Sequence, residues 1–274
     1  MTGAGAGAVA PSGAAAPIAV MGYTILEQAR ADLEGTFARV ADIGYLGVET
    51  YGLVEAYGPE RVRDAADAAG LAITSAHTPF PAGADADRLL DAAEALGAGT
   101  LVWSMEREEF DSPAAIAAGV QRVNDAAENA AARGLRIGYH NHFAEFANVF
   151  DGRQAYDLLL ELLDPRVVIE LDAYWARMGG ADPAEVLTRL GDRAQLIHIK
   201  DGPAVSYDDD LMVPIGEGAM DWRAILTAPA GLRWHIVELE RLSIDTFDAL
   251  ERSYRYLVGA GLSEGAVLSE ERTA

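Results

Sequence analysis

The sequence predicts an α/β fold, a single-domain (β/α)8 (TIM) barrel, and three observations carry this prediction. Eight strand-like runs alternate along the 274-residue chain with segments of helical periodicity. Half of the residues are apolar, so a large core can be buried. No glycine-rich turn of the dinucleotide- or phosphate-binding type follows an early strand, which disfavours the rival fold, a doubly wound open sheet.

The strands are predicted from runs in which aliphatic and β-branched residues dominate. The first four runs read IAVMGYTI, LGVETYG, LAITSAH and TLVWSME, and the last four read LRIGYHNH, RVVIELD, QLIHIKD and RWHIVELE. They begin near residues 18, 46, 71, 100, 135, 166, 195 and 233. Such runs are typical of strands that are buried in a parallel sheet.

Segments of helical periodicity fill the intervals between these strands. Four of them end at a glycine, as helices commonly do: residues 31–44, 59–70, 86–97 and 112–134. Later helices are predicted for residues 151–164, 182–192 and 243–261, with a shorter turn at residues 220–226. The longest interval without a regular element, residues 203–220, is typical of an active-site loop.

Composition narrows the function classes. The chain has no cysteine, which excludes disulfides, thiolate metal sites and a cysteine nucleophile, so any metal must be bound by imidazole and carboxylate groups. The formal charge is −22, from 43 acidic and 21 basic residues, and such a surface repels nucleic acid. We therefore expect a small-molecule substrate and no nucleic-acid partner, whereas assembly into a homo- or hetero-oligomer stays open.

The chain ends are predicted to lie outside the barrel. Residues 1–16 are rich in glycine and alanine and are interpreted as a flexible tail, residues 17–264 as the barrel, and residues 265–274 as a C-terminal tail. The first segment lacks the basic start of a secretion signal, and no apolar stretch approaches the roughly 20 residues that span a bilayer. The sequence thus predicts a cytoplasmic protein without a membrane anchor.

Acidic and imidazole side chains collect where the last four strands end, in GYHNH (138–142), VVIELDAYW (167–175), LIHIKDG (196–202) and WHIVELE (234–240). Because side chains two apart on a strand share a face, and because ligands bind at the carboxyl ends of parallel strands, these groups are expected to converge. Buried charges need compensation, which one divalent cation can supply. Asp172, His198 and Glu238, each from a different strand, are the predicted metal ligands.

Among the remaining candidates, His77 and Glu240 each have two interpretations. His77 is either a hydrogen-bonded polar residue or a substrate contact, and Glu240 either supports the metal ligands or binds substrate. Glu170 lies deeper than Asp172 and is interpreted as a member of a core ion pair. Trp175, directly beyond Asp172, is a candidate substrate contact. His235 is given a structural role, and the acidic residues 208–210 are interpreted as a solvated loop because the EF-hand pattern is absent.

Six segments resemble the sugar phosphate isomerase/epimerase family of xylose-isomerase-like barrels: ADIGYLGVE (41–49), GYHNHFAEF (138–146), LDAYWARMGG (171–180), IHIKDG (197–202), GEGAMDW (216–222) and IVELE (236–240). The resemblance implies one divalent metal held by Asp172, His198 and Glu238. The HNHxxEF motif implies Glu145 as the fourth ligand, with His140 as the alternative, and His142 as general base. Mn is the favoured ion, and Mg, Co, Fe, Ni and Zn also suit this ligand set.

The shared chemistry of such proteins is removal of a proton next to the carbonyl of a keto-sugar, which gives an enediolate. Lys200 could steady the developing oxyanion, and Glu238 or Glu240 could return a proton. Reprotonation makes an isomerase or epimerase, whereas loss of a β-substituent from a keto-sugar, keto-glycoside or inosose makes a lyase. A DNA-repair endonuclease and a noncatalytic sugar-binding subunit are the alternatives from other classes.

Overall fold

Eight parallel strands close into a barrel in the computed structural model, which describes residues 15–206 and 211–266. The first strand pairs with both the second and the eighth, so the sheet has no free edge. The predicted fold class is therefore confirmed. The strands are β1 Ile18–Met21, β2 Gly47–Tyr51, β3 Ala72–His77, β4 Thr100–Trp103, β5 Arg136–His140, β6 Val168–Asp172, β7 Ala194–Ile199 and β8 Trp234–Val237.

Helices surround the barrel, and their ends follow the capping residues of the sequence. Asp32, Ser112, Asp182 and Asp245 each accept a hydrogen bond from a backbone N–H of the helix that follows. The helices are α1 Leu26–Ala31, α2 Leu33–Ile43, α3 Leu53–Tyr57, α4 Pro59–Ala69, α5 Ala86–Leu96, α6 Pro113–Ala131, α7 Ala144–Ala147, α8 Ala155–Leu162, α9 Ala173–Met178, α10 Pro183–Leu190, α11 Trp222–Leu226 and α12 Thr246–Gly259. Short 3₁₀ turns cover Gly83–Asp85, Arg107–Phe110 and Gly191–Arg193.

The helix predicted for residues 151–164 begins later than expected. Val149–Phe150 and Arg153–Gln154 pair as a two-stranded antiparallel hairpin. Asp151 and Gly152 both have positive φ, the backbone conformation that a tight hairpin turn needs. Helix α8 therefore starts at Ala155.

Two apolar regions hold the barrel together. The larger one fills the layer between the outer faces of the strands and the helices. The smaller one consists of Ala19, Met21, Val102, Leu196 and Ile236. Leu196 and Ile236 precede His198 and Glu238 by two residues and share their strand faces, so this apolar plug lies in the barrel interior beneath the polar strand ends.

Parts of the predicted tails and loop lie outside the described residues, namely 1–14, 207–210 and 267–274. The acidic triplet at 208–210 is among them. The first residues of the predicted C-terminal tail are bonded to the barrel, since Ala266 donates its N–H to the Gly44 carbonyl at 2.9 Å and accepts from the Tyr254 hydroxyl at 2.7 Å. None of the described helices combines the length and hydropathy needed to cross a bilayer.

Candidate metal and substrate site

The ends of β5, β6 and β7 are fixed beside one another by backbone pairing. Asp172 pairs with His198, and Glu170 pairs with His140 on its other side. Asn141 strengthens the junction, because its side chain accepts the Asp172 N–H at 3.0 Å and donates to the Asp172 carbonyl at 3.1 Å. Side chains from distant parts of the sequence are thereby held at one end of the barrel.

The first cluster, which we call the mouth group, consists of His140, Asp172 and His198. One ligand atom from each lies within 4.8 Å of the other two, and all three residues are buried. Glu238 adjoins this group, since its Oε2 lies 2.6 Å from His198 Nδ1. The predicted ligands Asp172, His198 and Glu238 thus occupy one small region.

Lys200 is the only lysine of the chain, and it is buried at the centre of this region. Its Nζ lies 3.0 Å from Asp172 Oδ2, 2.9 Å from Glu238 Oε2 and 2.8 Å from Glu240 Oε1. Burial opposes its charge, but the three carboxylates raise the pKa of Lys200 well above its usual value. The side chain is therefore an ammonium, which also lies 5.2 Å from the centre of the Trp175 ring.

A second cluster, the inner group, consists of Glu49, His77, Glu170 and His198, from four strands. His198 Nε2 lies 2.7 Å from Glu49 Oε2 and 3.2 Å from Glu170 Oε2. His77 Nδ1 lies 3.4 Å from Glu49 Oε1. Glu170 pairs with Leu196 in the sheet, two residues below the level at which Asp172 pairs with His198, so this group reaches deeper into the barrel.

The histidines differ in protonation. Burial lowers the pKa of His140 well below its usual value, and burial together with the Lys200 charge lowers the pKa of His142 to about 4. Both rings are therefore neutral near pH 7, each with a lone pair. His198 behaves oppositely, because burial is outweighed by the charges of Glu170, Glu238 and Glu49, which raise its pKa well above the usual value.

The carboxylates of the inner group also differ. Burial would raise the pKa of Glu49, but the charge of His198 outweighs it and lowers that pKa to about 2. Burial and the neighbouring Glu49 charge raise the pKa of Glu170 to about 7. The ligand atoms of Glu49 and Glu170 lie within 4.8 Å of each other, so the two carboxylates do not ionise independently.

Glu145, the ligand favoured by the sequence motif, is not brought to either group. Its Oε1 accepts hydrogen bonds from the Tyr139 hydroxyl at 2.9 Å and from the His142 N–H at 3.1 Å. Tyr139 precedes His140 and so projects from the opposite, outer face of β5. The carboxylate of Glu145 therefore supports the backbone of the HNH segment from outside, and burial raises its pKa to about 7.

Glu49 is the residue that the sequence analysis missed. It stands near the end of β2, in GVETY, where an acid follows apolar residues just as in the late strands. The same pattern could have identified it. Glu170, interpreted as a core ion-pair residue, and His77, with its two open interpretations, both lie in the inner group, whereas Glu240 contacts Lys200.

The ligand set fits a divalent cation. Asp172 Oδ2, Glu238 Oε2 and His198 Nδ1 are buried and lack a hydrogen bond of good geometry, although all three lie close to oppositely charged partners. Imidazole nitrogen combined with carboxylate oxygen suits first-row divalent ions and leaves soft, thiolate-preferring ions disfavoured. The residues present could therefore hold such an ion.

Residues 37–242 match the family model described as xylose isomerase-like TIM barrel. The chain belongs to this family. Among solved structures, a sugar phosphate isomerase/epimerase from Parabacteroides distasonis has 25% identity and a TM-score of 0.75 over 94% of this chain and 98% of that one. An IOLI protein with a bound zinc atom has 17% identity and a TM-score of 0.68, covering 89% of this chain and 98% of its own.

One curated protein whose sequence matches part of this xylose isomerase-like barrel is the inosose dehydratase of Geobacillus kaustophilus. The two sequences are 41% identical over 69 residues. This alignment spans 25% of the chain and 21% of the dehydratase, so it compares a segment and not the whole proteins.

Proposed function

We propose that this protein is a divalent-metal-dependent enzyme that removes a proton next to the carbonyl of a keto-sugar and returns it, as an isomerase or epimerase. The observation that supports this most directly is the convergence of His140, Asp172, His198 and Glu238 around Lys200 at the carboxyl end of the barrel. In barrels of this type the active site lies at that end. Members of the family with isomerase or epimerase names are consistent with the proposal.

In this proposal the metal is held by His140, Asp172, His198 and Glu238. His140 takes the place that the sequence motif gave to Glu145, since His140 lies in the mouth group and the Glu145 carboxylate contacts Tyr139. A divalent cation bound there would polarise the substrate carbonyl and orient it. Any of Mn, Mg, Co, Fe, Ni and Zn suits the donor atoms, and Mn stays the favoured candidate.

His142 is the proposed base. Its imidazole is neutral near pH 7 and lies beside the mouth group, with its ring centre 5.0 Å from that of His140. The hydrogen bond from its N–H to Glu145 fixes the backbone from which the ring projects. A neutral imidazole at a fixed position can take a proton from a carbon next to a ketone.

Lys200 supplies a fixed positive charge. Its ammonium can stabilise the negative charge that develops on the carbonyl oxygen when the proton leaves. Glu240 orients this ammonium at 2.8 Å, and Glu238 or Glu240 would return a proton from the other side. Trp175 and His77 flank the region, with Trp175 beside Lys200 and His77 beside His140, and both are proposed to contact the substrate.

Elimination is the second candidate, and the match to inosose dehydratase favours it. The same proton removal, followed by loss of a β-substituent in place of reprotonation, would make the protein a lyase acting on an inosose or a keto-glycoside. His142 would then serve as base, and the Lys200 ammonium would stabilise the same oxyanion. The two reactions differ only in the fate of the substrate carbanion.

Deuterium exchange tests the proposal. The metal-loaded protein is incubated in heavy water with ketoses, 3-keto-glycosides and inososes, and incorporation at carbon is followed by NMR. We expect exchange that chelation abolishes and that His142→Gln slows by about 10²–10⁴-fold. His235→Asn, at the opposite end of the barrel, is the matched control and should keep full exchange. No exchange with any of these compounds refutes the proposal, and release of water or an alcohol identifies a lyase.

A further inference from the structure

We propose that the inner group, Glu49, His77, Glu170 and His198, binds a second divalent transition-metal ion, deeper in the barrel than the ion of the proposed function. The group is built from β2, β3, β6 and β7, and one ligand atom from each residue lies within 4.8 Å of all the others. A single ion can therefore be reached by two imidazole nitrogens and two carboxylate oxygens at once.

The inner group sets two carboxylates against one charged histidine, His198, which also pairs with Glu238. Glu49 and Glu170 are fully buried, and transferring each carboxylate from water into this interior costs several kcal/mol. Among the described residues, the side-chain ion-pair partners of both are histidines only: His77 and His198 for Glu49, and His77, His140 and His198 for Glu170. The one lysine is engaged by Asp172, Glu238 and Glu240.

Both glutamates of the inner group, and His77, carry a buried polar atom without a hydrogen bond. Glu49 Oε1, Glu170 Oε1 and His77 Nδ1 are buried without a hydrogen bond, although His77 Nδ1 approaches Glu49 Oε1 to 3.4 Å. The side chains of both glutamates are fully buried, and that of His77 is 8% exposed. Buried polar atoms without a partner are rare in folded proteins, and a bound ion is one of the few ways to satisfy them.

Three imidazole rings also converge on one oxygen. Glu170 Oε2 lies 3.0 Å from His140 Nδ1, 3.2 Å from His198 Nε2 and 3.8 Å from His77 Nδ1. Imidazole nitrogens and carboxylate oxygens are thus gathered at short range, and this combination of donor atoms is the one that zinc, cobalt or manganese takes in proteins. All four proposed ligands come from the protein, so this ion would be structural and would not contact the substrate.

His198 can serve both ions because its two nitrogens face opposite ways. Nδ1 lies 2.6 Å from Glu238 Oε2 on the side of the mouth group, whereas Nε2 faces Glu49 and Glu170. When both positions are filled, the imidazole has given up both N–H protons and bridges the two ions. Loss of either ion then leaves the other with its remaining ligands.

Cobalt binding to the metal-free full chain tests the proposal without any assay of turnover. After equilibrium dialysis against Co²⁺, we expect two bound equivalents in the wild type and visible absorption from both ions. Glu49→Gln should remove the inner equivalent, and Asp172→Asn, the matched control from the mouth group, should remove the other. One equivalent that survives Glu49→Gln and is lost in Asp172→Asn overturns the inner site and leaves the proposed function intact.

Two further outcomes separate the proposals. One equivalent that is lost in Glu49→Gln but kept in Asp172→Asn supports the inner site and contradicts the metal position of the proposed function, and no bound cobalt overturns both. If Glu49→Gln does not fold, His77→Gln replaces it, because His77 lies at the edge of the group. Anomalous diffraction at the cobalt edge from wild-type crystals should show a peak amid Glu49, His77, Glu170 and His198, and a lone peak beside Asp172 overturns the proposal.

Discussion

Replacing Lys200 by methionine should destabilise the metal-free protein and strengthen its binding of a divalent ion. The methionine side chain keeps much of the volume of lysine but removes the charge. Asp172 and Glu238 would then repel each other in a buried region, where the charged His198 beside Glu238 would be the remaining partner to offset them. A divalent ion at the mouth group would meet the same carboxylates without a competing ammonium.

The magnitude follows from the contacts. At 3.0 and 2.9 Å, the two fully buried contacts of Lys200 are each worth about 5–6 kcal/mol at an effective dielectric constant of about 20. Burial of the three ions costs several kcal/mol each and offsets most of this attraction. Removing one partner of a buried pair leaves the desolvation cost without the attraction, so the free energy of unfolding should fall by about 3–5 kcal/mol.

Urea unfolding measures the effect, first with a chelator and then with Mn²⁺. Arg189→Met is the control, because Arg189 forms an exposed ion pair with Asp157 at 2.7 Å and should cost no more than about 1 kcal/mol. At a Mn²⁺ concentration of about 100 times Kd, both forms should gain about 2.7 kcal/mol, and the variant should reach this gain at a lower concentration. Metal-free Lys200→Met with the stability of the control, or with weaker Mn²⁺ binding than the wild type, refutes the reasoning.

Other parts of the molecule give three further predictions. Burial lowers the pKa of His235 to about 4, so this side chain binds a proton less readily in the folded protein than in the unfolded chain. The free energy of unfolding should therefore fall by up to about 3 kcal/mol as the pH falls from about 6.5 to about 4. Urea unfolding at several pH values should show that His235→Asn lacks this pH-dependent component. Glu145→Gln keeps an acceptor for Tyr139 and His142, so dialysis should show unchanged metal binding, whereas a loss would restore Glu145 as a ligand. Asp201 accepts backbone hydrogen bonds from Gly216 and Met220, so Asp201→Ala should speed amide hydrogen exchange at 213–220 but not in β5, and uniform exchange would contradict this anchoring role.

The barrel could be predicted from the sequence because its signal is repeated eight times. Each strand is a run of aliphatic residues, and most long helices carry a cap or a terminal glycine, as with Ser112 at the start of α6 and Gly97 after α5. The short helices α1, α3, α7 and α9 were not predicted. They have four to six residues each, too few to show helical periodicity, and their formation depends on packing at the barrel ends.

The candidate site was only partly predictable. Strand periodicity indicates that Asp172, His198 and Glu238 point inward, because the face of each residue follows from its position in the run. It cannot indicate which inward residues on non-adjacent strands meet, and so the pairing of Glu49 with His198, 149 positions apart, was not predicted. The motif around Glu145 gave the residue types but not the face of β5 on which its carboxylate lies.

The pairing of Glu49 with His198 has a consequence for how the barrel can be divided. A fragment that ends before β5 contains Glu49 and His77, and its complement contains Glu170 and His198, so neither half carries all four residues of the inner group. Coexpressed halves should therefore bind an ion at the inner group only when the closed sheet re-forms across both seams. The mouth group, by contrast, lies wholly in the second half, so only the inner group depends on strands from both halves.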